Sequence, residues 1–418
     1  MKEEIMNRKI LILIILGIMI VFSGCRNKKE PIVDENNNNP NEIVEEEEEI
    51  EEIDEIQVIV DNMTLDEKIG QLFIFGFKGT TADENVIRAI EENHIGGFIL
   101  FKDNILDAKQ TVELLNHLKN INSSNKLPLF LSVDEEGGIV SRLKDIYVDL
   151  PSARTIGDID DREVSWEYGE IIGQRLRELG FNMDFAPVLD INSNPNNPVI
   201  GKRAFGTDVD SVVNNGLQVM EGINSANVIS VVKHFPGHGD TSTDSHIGLP
   251  VIDKSLAEME SLELVPFKRA IAEDVDAIMV AHILFTQLDA ENPATLSYKV
   301  ITELLRDKLS YDGVVISDDM TMGAIMENYT VEEAAYRFIK AGGDILLICH
   351  EYENQEKALN RIKEEVEKGN ITEEELNEKV YRIVKLKMKY ALEDKPVEQY
   401  DVESINTRTK QFFNRINP

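Results

Sequence analysis

Eighteen residues, Lys233-His234-Phe235-Pro236-Gly237-His238-Gly239-Asp240-Thr241-Ser242-Thr243-Asp244-Ser245-His246-Ile247-Gly248-Leu249-Pro250, hold three of the chain's seven histidines, two aspartates and a lysine. Imidazole is the side chain that gains and loses a proton near neutrality. An aspartate two residues before a histidine can accept its N–H in a local turn, fix its tautomer and raise its basicity. Asp244 and His246 therefore have the makings of an acid/base dyad, although a Gly/Pro/Asp/His loop can also be an ordinary turn. Four of the same residues, His234, His238, Asp244 and His246, could instead be read as metal ligands. Their spacing is not a recognised ligand pattern, and Lys233 would have to share the site. A second point of chemistry is Asp318-Asp319, which follows Gly313-Val314-Val315-Ile316-Ser317. Two carboxylates after an apolar run can supply a nucleophile, bind a metal or cap a helix, and the residue types leave these open.

These groups need a scaffold. Val228 to Val232 is a short apolar, β-branched run that reads as a buried strand, and the Gly, Pro and Ser/Thr content after it predicts a loop leaving the strand end from Lys233. Similar runs span Leu72 to Phe77, Gly97 to Phe101, Leu129 to Val133, Met183 to Pro187, Ala277 to Ala281, Val314 to Ile316 and Ile345 to Ile348. They are short and apolar, as strands covered on both faces are. Helical patterns lie between them, including Leu65 to Leu72 behind a Thr64 cap, Asp107 to Asn120, Glu163 to Leu179 and Val331 to Ala341. Strands alternating with helices predict an α/β fold, a (β/α)8 TIM-like barrel forming a single catalytic domain, with a doubly wound open sheet as the alternative. Asp134-Glu135-Glu136, Asp190, Lys233-His234, His282 and Asp318-Asp319 all follow predicted strands. A barrel gathers such residues into one site at the C-terminal ends of its strands.

The flanks read differently. Arg8 and Lys9 precede an apolar stretch, Ile10 to Phe22, and Ser23-Gly24-Cys25 ends it; residues 1–25 have the layout of a signal peptide with Cys25 as a lipidation site. The expectation is an extracytoplasmic lipoprotein held at the outer face of the membrane, with an uncleaved N-terminal anchor as the alternative. Residues 26–56 read as an acidic tether: Glu30 to Glu55 contains thirteen acidic residues and no basic ones, so the segment repels itself and buries too little to fold alone. Residues 57–392 are the barrel domain, closing with helices Asn354 to Glu367 and Thr372 to Leu392, and 393–418 are expected to pack loosely as a tail. A net charge of −34 argues against nucleic acid as a partner. No Walker loop, CxxC pair or dinucleotide glycine pattern appears, so no cofactor is expected. Cys349 ends an apolar run and reads as a core thiol, and a monomer without disulfides is expected.

The loop Lys233 to Pro250 resembles the signature loop of bacterial β-N-acetylglucosaminidases in glycoside hydrolase family 3. That resemblance implies a retaining exo-β-N-acetylhexosaminidase that releases terminal GlcNAc, with cell-wall fragments or muropeptides as the expected carbohydrate substrates. It makes His246, backed by Asp244, the acid/base. GVVISDDM is similar to the family's nucleophile motif, which gives Asp318 that role and leaves Asp319 as a supporting carboxylate or cap. VDEEGG resembles the family's Asp-x-Glu-Gly-Gly stretch and implies Asp134 as a sugar ligand, with Arg142, Arg203, Lys233 and His234 as further sugar-binding residues. Ile139 stands where the family usually has Arg. Many family members resemble a barrel plus a second domain that donates a glutamate; this chain ends too soon for one, so the proton is expected from the barrel itself. A β-glucosidase-type or phosphorylase variant, and a non-catalytic wall-binding lipoprotein, are the alternatives.

Overall fold

A computed structural model describes residues 53–416. The expected signal peptide, Cys25 and nearly all of the acidic tether lie outside the described residues. Eight parallel strands form one sheet: β1 (Phe73–Gly76), β2 (Gly97–Leu100), β3 (Phe130–Val133), β4 (Met183–Asp184), β5 (Ile229–Phe235), β6 (Ala277–Val280), β7 (Val314–Ser317) and β8 (Leu346–Ile348). They pair in chain order, and β8 returns to β1 with Phe73 opposite Leu346. The bridge Ile316–Ile345, with the Leu347 N–H donating to Ser317 Oγ at 3.0 Å, joins β7 to β8 and closes the ring into a barrel. Every residue of these strands is buried, because helices cover the outside while side chains fill the inside.

Two strands depart from the expected bounds by more than one residue at an end. β4 ends after two residues; beyond it the Phe185 N–H still donates to the Val133 carbonyl at 2.9 Å, and the carbonyl of Pro187, which has no N–H to offer the ladder, accepts from the Lys233 N–H at 3.2 Å. β5 runs on through Lys233 and His234 to Phe235. These two residues therefore belong to a buried strand rather than to the loop after it, and a loop starting at Lys233 is corrected to one starting at Pro236. The Lys233–His234 and Phe235–Pro236 peptides are cis.

Helix caps follow the sequence signals. Thr64 and Glu67 form a reciprocal box at helix Leu65–Gln71, and Thr372 and Glu375 form another at Glu373–Lys389, each satisfying amide groups that a helix start leaves bare. Helix Glu55–Asp61 starts inside the acidic segment, where the Asp54 carboxylate accepts from the amides of Ile56 and Gln57. The tail also differs from expectation. Val402–Ile416 is a helix packed on Arg162–Leu179, with Phe412 buried beside Tyr168. Ile405, Thr409, Phe412 and Ile416 recur at helical spacing and make one packing face. Buried Arg175 donates to Thr409 Oγ1 at 3.0 Å and to the Val148 carbonyl at 2.6 Å, which ties this helix to the barrel.

The base of the barrel holds a buried lysine. Lys387 Nζ donates to Gln71 Oε1 at 2.6 Å, the Gly96 carbonyl at 3.1 Å and the Pro128 carbonyl at 2.6 Å, and lies 4.4 Å from the centre of the Phe130 ring. Burial pushes its pKa down to about 7. Lys387→Met strips Gln71 Oε1 and the Pro128 carbonyl of their donor, while the Gly96 carbonyl keeps the Phe130 amide, and is expected to lower stability by about 2–4 kcal/mol. Urea unfolding checks this, and an unchanged midpoint would show that the acceptors find other donors.

Candidate active site

The loop after β3 carries Asp134, Glu135 and Glu136, and its shape comes from Glu135. That carboxyl is fully buried and accepts from Ser141 Oγ at 2.7 Å and from the amides of Arg142 at 2.8 Å and Leu143 at 3.3 Å. The chain folds back at Gly137, whose φ of +77° suits a residue without Cβ; a Cβ there would also sit 1.9 Å from the Tyr168 hydroxyl. The fold-back returns the Arg142 guanidinium to within 3.5 Å of Asp134 Oδ2.

Lys233, on β5, reaches the same place from inside the barrel. Its ammonium lies 2.7 Å from both Asp134 Oδ1 and Glu136 Oε1. Burial opposes its charge, yet these two carboxylates hold its pKa above the ordinary lysine value. Arg203 completes the group with a two-pronged contact to Glu136 at 2.8 and 2.7 Å. Burial opposes ionisation of Glu136, but Arg203 and Lys233 outweigh it and hold the carboxyl well below the usual range. Arg203 and Lys233 are thus held in place by a carboxylate that is nearly inaccessible to solvent, leaving Asp134 partly exposed.

His234 is oriented from behind. Its Nδ1 lies 2.7 Å from Asp190 Oδ2, and Asp190 Oδ1 accepts from the His238 amide at 2.6 Å. A carboxylate at Nδ1 makes that nitrogen the donor, so Nε2 is the ring atom presented to the cavity, 3.5 Å from Arg203. Burial raises the Asp190 pKa, but His234 and then His238 turn the balance, and the carboxyl lies below its ordinary value.

Asp318 follows β7. Its N–H donates to the Val280 carbonyl at 3.1 Å, and its Oδ1 accepts from the Asp319 amide at 2.8 Å. Burial is the largest influence on this carboxyl and disfavours its charge. The imidazoles of His282 and His234, the Asp319 amide and Lys233 together outweigh burial and keep the pKa below the ordinary aspartate value. His282 stands beneath: its Nε2 donates to the Asp319 carbonyl at 2.9 Å, and its Nδ1 is 2.7 Å from Thr295 Oγ1. Asp319 is occupied with its own turn, accepting from the Thr321 amide at 2.9 Å and the Cys349 amide at 3.0 Å. Cys349 is buried with a free thiol.

Across the cavity, His246 Nδ1 is 2.9 Å from Asp244 Oδ1, which also accepts the His246 amide at 2.9 Å. Burial raises the Asp244 pKa, and the two His246 bonds reverse this to leave the carboxyl below its ordinary value. The paired Nδ1 leaves Nε2 as the nitrogen that can exchange a proton, on a side chain two-thirds exposed. Asp134, Arg142, Arg203, Lys233, His234, His246 and Asp318 line one cavity of about 340 Å³, and Asp244 stands behind His246. For a metal, the donors in this region are already engaged: Asp190 holds His234 Nδ1, and Thr241 and Ser245 face the two nitrogens of His238. Among the described residues no group of three or more His, Cys, Asp or Glu is placed to hold an ion.

The site also uses residues the sequence reading did not assign. Glu136 and Asp190 are the buried carboxylates that position Arg203, Lys233 and His234. Phe101 and His350, from the ends of β2 and β8, form one wall with their rings 5.2 Å apart. The available signal for all four was their place just past barrel strands.

The model of the glycosyl hydrolase family 3 N terminal domain matches residues 64–386. The chain belongs to glycosyl hydrolase family 3. It is 34% identical over 334 residues to the β-hexosaminidase A of Pseudoalteromonas piscicida, an alignment covering 74% of this chain and 56% of that protein. It is 33% identical over 297 residues to a β-hexosaminidase of Haemophilus influenzae (strain PittEE), covering 69% of this chain and 83% of that one. The solved structure of a glycoside hydrolase family 3 β-N-acetylglucosaminidase from Paenibacillus sp. str. FPU-7 superposes with a TM-score of 0.79 at 40% identity, over 84% of this chain and 68% of that chain. The chain thus spans little more than half the length of the first of these relatives. In this family 3 chain the matched region holds all the strands of the barrel and every residue of the cavity described above.

Proposed function

We propose that this family 3 glycoside hydrolase is a retaining exo-β-N-acetylhexosaminidase acting by double displacement, with Asp318 as nucleophile and His246 as acid/base. The observation that carries this reading is the pair of unlike groups on one cavity: a half-buried carboxyl whose pKa is held below the ordinary aspartate value, and an exposed imidazole tied to Asp244 through one nitrogen. Retention requires an acid at the leaving oxygen and a nucleophile on the opposite face of the sugar. Asp318 attacks the anomeric carbon while His246 Nε2–H protonates the departing oxygen, forming a glycosyl ester. Neutral His246 then takes a proton from water, and that water releases the sugar and regenerates the Asp318 carboxylate. An imidazole suits this partner because a second carboxylate would repel the nucleophile electrostatically. Asp134, Arg142, Arg203, Lys233 and His234 crowd polar groups onto a cavity suited to a single sugar unit, which fits exo action on a chain end.

The preference for the acetamido sugar draws on the β-hexosaminidase relatives. In phosphate-free buffer the enzyme is expected to hydrolyse 4-nitrophenyl β-N-acetylglucosaminide with a kcat/KM about 10²-fold above that for the matching β-glucoside. Equal rates would reassign the sugar, and a strong dependence on added phosphate, with sugar phosphate as product, would make it a phosphorylase. Wall fragments or muropeptides are the proposed source of substrate, consistent with a lipid anchor on Cys25 outside the cytoplasm. Mass spectrometry of the mature N-terminus tests the anchor, and an unprocessed Met1 would refute it.

A further inference from the structure

The loop that carries His246 touches the rest of the protein at few points. From Thr241 to Pro250 only Thr241, Ser245 and Pro250 are buried, so Ser245 is the one buried anchor between the two ends. The first end is held by Asn197, whose side-chain amide donates to the His238 carbonyl at 2.9 Å and Thr241 Oγ1 at 3.2 Å. The far end is held where Leu284 N donates to the Pro250 carbonyl at 2.9 Å, beside the short pairing of Val251–Ile252 with Leu284–Phe285. Between them Ser242, Thr243, His246 and Ile247 face solvent.

Ser245 faces two ways. Its Oγ lies 3.2 Å from His238 Nε2, and its carbonyl accepts from the Ala324 amide at 3.1 Å. His238 is itself fixed, with Nδ1 2.9 Å from Thr241 Oγ1 and its amide on Asp190. Ala324 belongs to the short helix Gly323–Met326, a few residues after Asp318 on the same βα segment. The approach there is close: a Cβ on Gly323 would lie 2.6 Å from the His246 carbonyl oxygen and 2.9 Å from that of Ile247. Carbon so near carbonyl oxygen is sterically excluded, so only glycine lets the two segments meet in this way.

We infer that Ser245 and Gly323 are positioning residues that register the acid/base loop on the segment carrying the nucleophile. Both border the cavity, but the registering contacts run to His238, Ala324 and the His246 backbone rather than to the Asp318 carboxylate or His246 Nε2. Ser245 clamps the loop between the β5 end, through His238, and the β7 segment, through Ala324, one residue before His246. Gly323 sets how near the loop comes. The distance between acid/base and nucleophile is thereby fixed by a direct contact between their two segments. General acid catalysis depends on hydrogen-bond reach, so a small displacement of the loop reduces proton transfer while leaving attack by Asp318 intact. The inference rests on His246 being the acid/base.

The test is the dependence of kcat/KM on the leaving group, because kcat/KM reports the glycosylation step. Two substrates are compared, phenyl β-N-acetylglucosaminide, which needs a proton donor, and the 2,4-dinitrophenyl analogue, which does not. Ser245→Ala is expected to lower the phenyl value about 10-fold and Gly323→Ala about 50-fold, with the dinitrophenyl value of each falling no more than about threefold. A purely structural role would lower both substrates alike, and that result would overturn the assignment. His246→Ala is the reference. If it shows strong leaving-group dependence while Ser245→Ala and Gly323→Ala do not, the registering role alone fails. If His246→Ala affects both substrates equally, the acid/base reading fails and the registering role falls with it.

Discussion

Asp318→Ala is expected to lower kcat/KM on an aryl β-N-acetylglucosaminide by at least about 10⁴-fold, a barrier increase of about 5 kcal/mol. Among the described residues, the other carboxylates lining the cavity are already engaged. Glu136 is engaged by Arg203 and Lys233, Asp134 by Lys233 and Arg142, and Asp319 by its own turn. The loss should fall on kcat more than KM, since the proposed sugar ligands Arg142, Arg203, Lys233 and His234 keep their places on the cavity. Folding is checked separately by thermal unfolding, because the Asp319 amide loses its acceptor on Asp318. Azide supplies a second readout. On a 2,4-dinitrophenyl substrate, azide can enter the space vacated by the carboxylate, attack the anomeric carbon and expel dinitrophenolate. One displacement inverts the centre, so the product is the α-glycosyl azide. Activity within about tenfold of wild type would rule Asp318 out as the nucleophile.

His246→Ala should cost about 10²- to 10⁴-fold in kcat/KM for substrates whose leaving groups need protonation, and far less for dinitrophenolate. The side chain is exposed and its recorded partner is Asp244, so stability should change little. Azide here gives the opposite stereochemistry: it attacks the glycosyl ester on Asp318 from the face the base had served, and the second inversion yields the β-glycosyl azide. An α product from this variant, or a loss independent of leaving group, would remove His246 from the acid/base role. The two variants together assign each residue to one face of the sugar by product configuration, which does not depend on the size of either rate loss.

Much of the barrel could be read along the chain because its determinants are local. Strand positions follow from short apolar runs buried on both faces, and helix starts follow from capping residues such as Thr64 and Thr372. The misjudged boundaries had non-local causes. β5 extends through Lys233 because that ammonium finds Asp134 and Glu136 inside the barrel, which offsets the cost of burying a charge in a strand. The C-terminal helix packs because Arg175 and Tyr168, more than 200 residues earlier, present a surface for Thr409 and Phe412.

The order of residues along the chain indicates which side chains could do chemistry and, Lys233 and His234 apart, the element that carries them: Asp318 after one strand, His246 on a glycine-rich loop, and the Asp244 beside it, a relation set by two peptide units. Only the tertiary structure decided how those residues are charged and held. Glu136 between Arg203 and Lys233, Asp190 behind His234, and Ser245 against His238 and Ala324 join positions far apart in the chain. Their effect depends on low solvent exposure and distances near 3 Å, quantities that no local pattern encodes because barrel closure creates them.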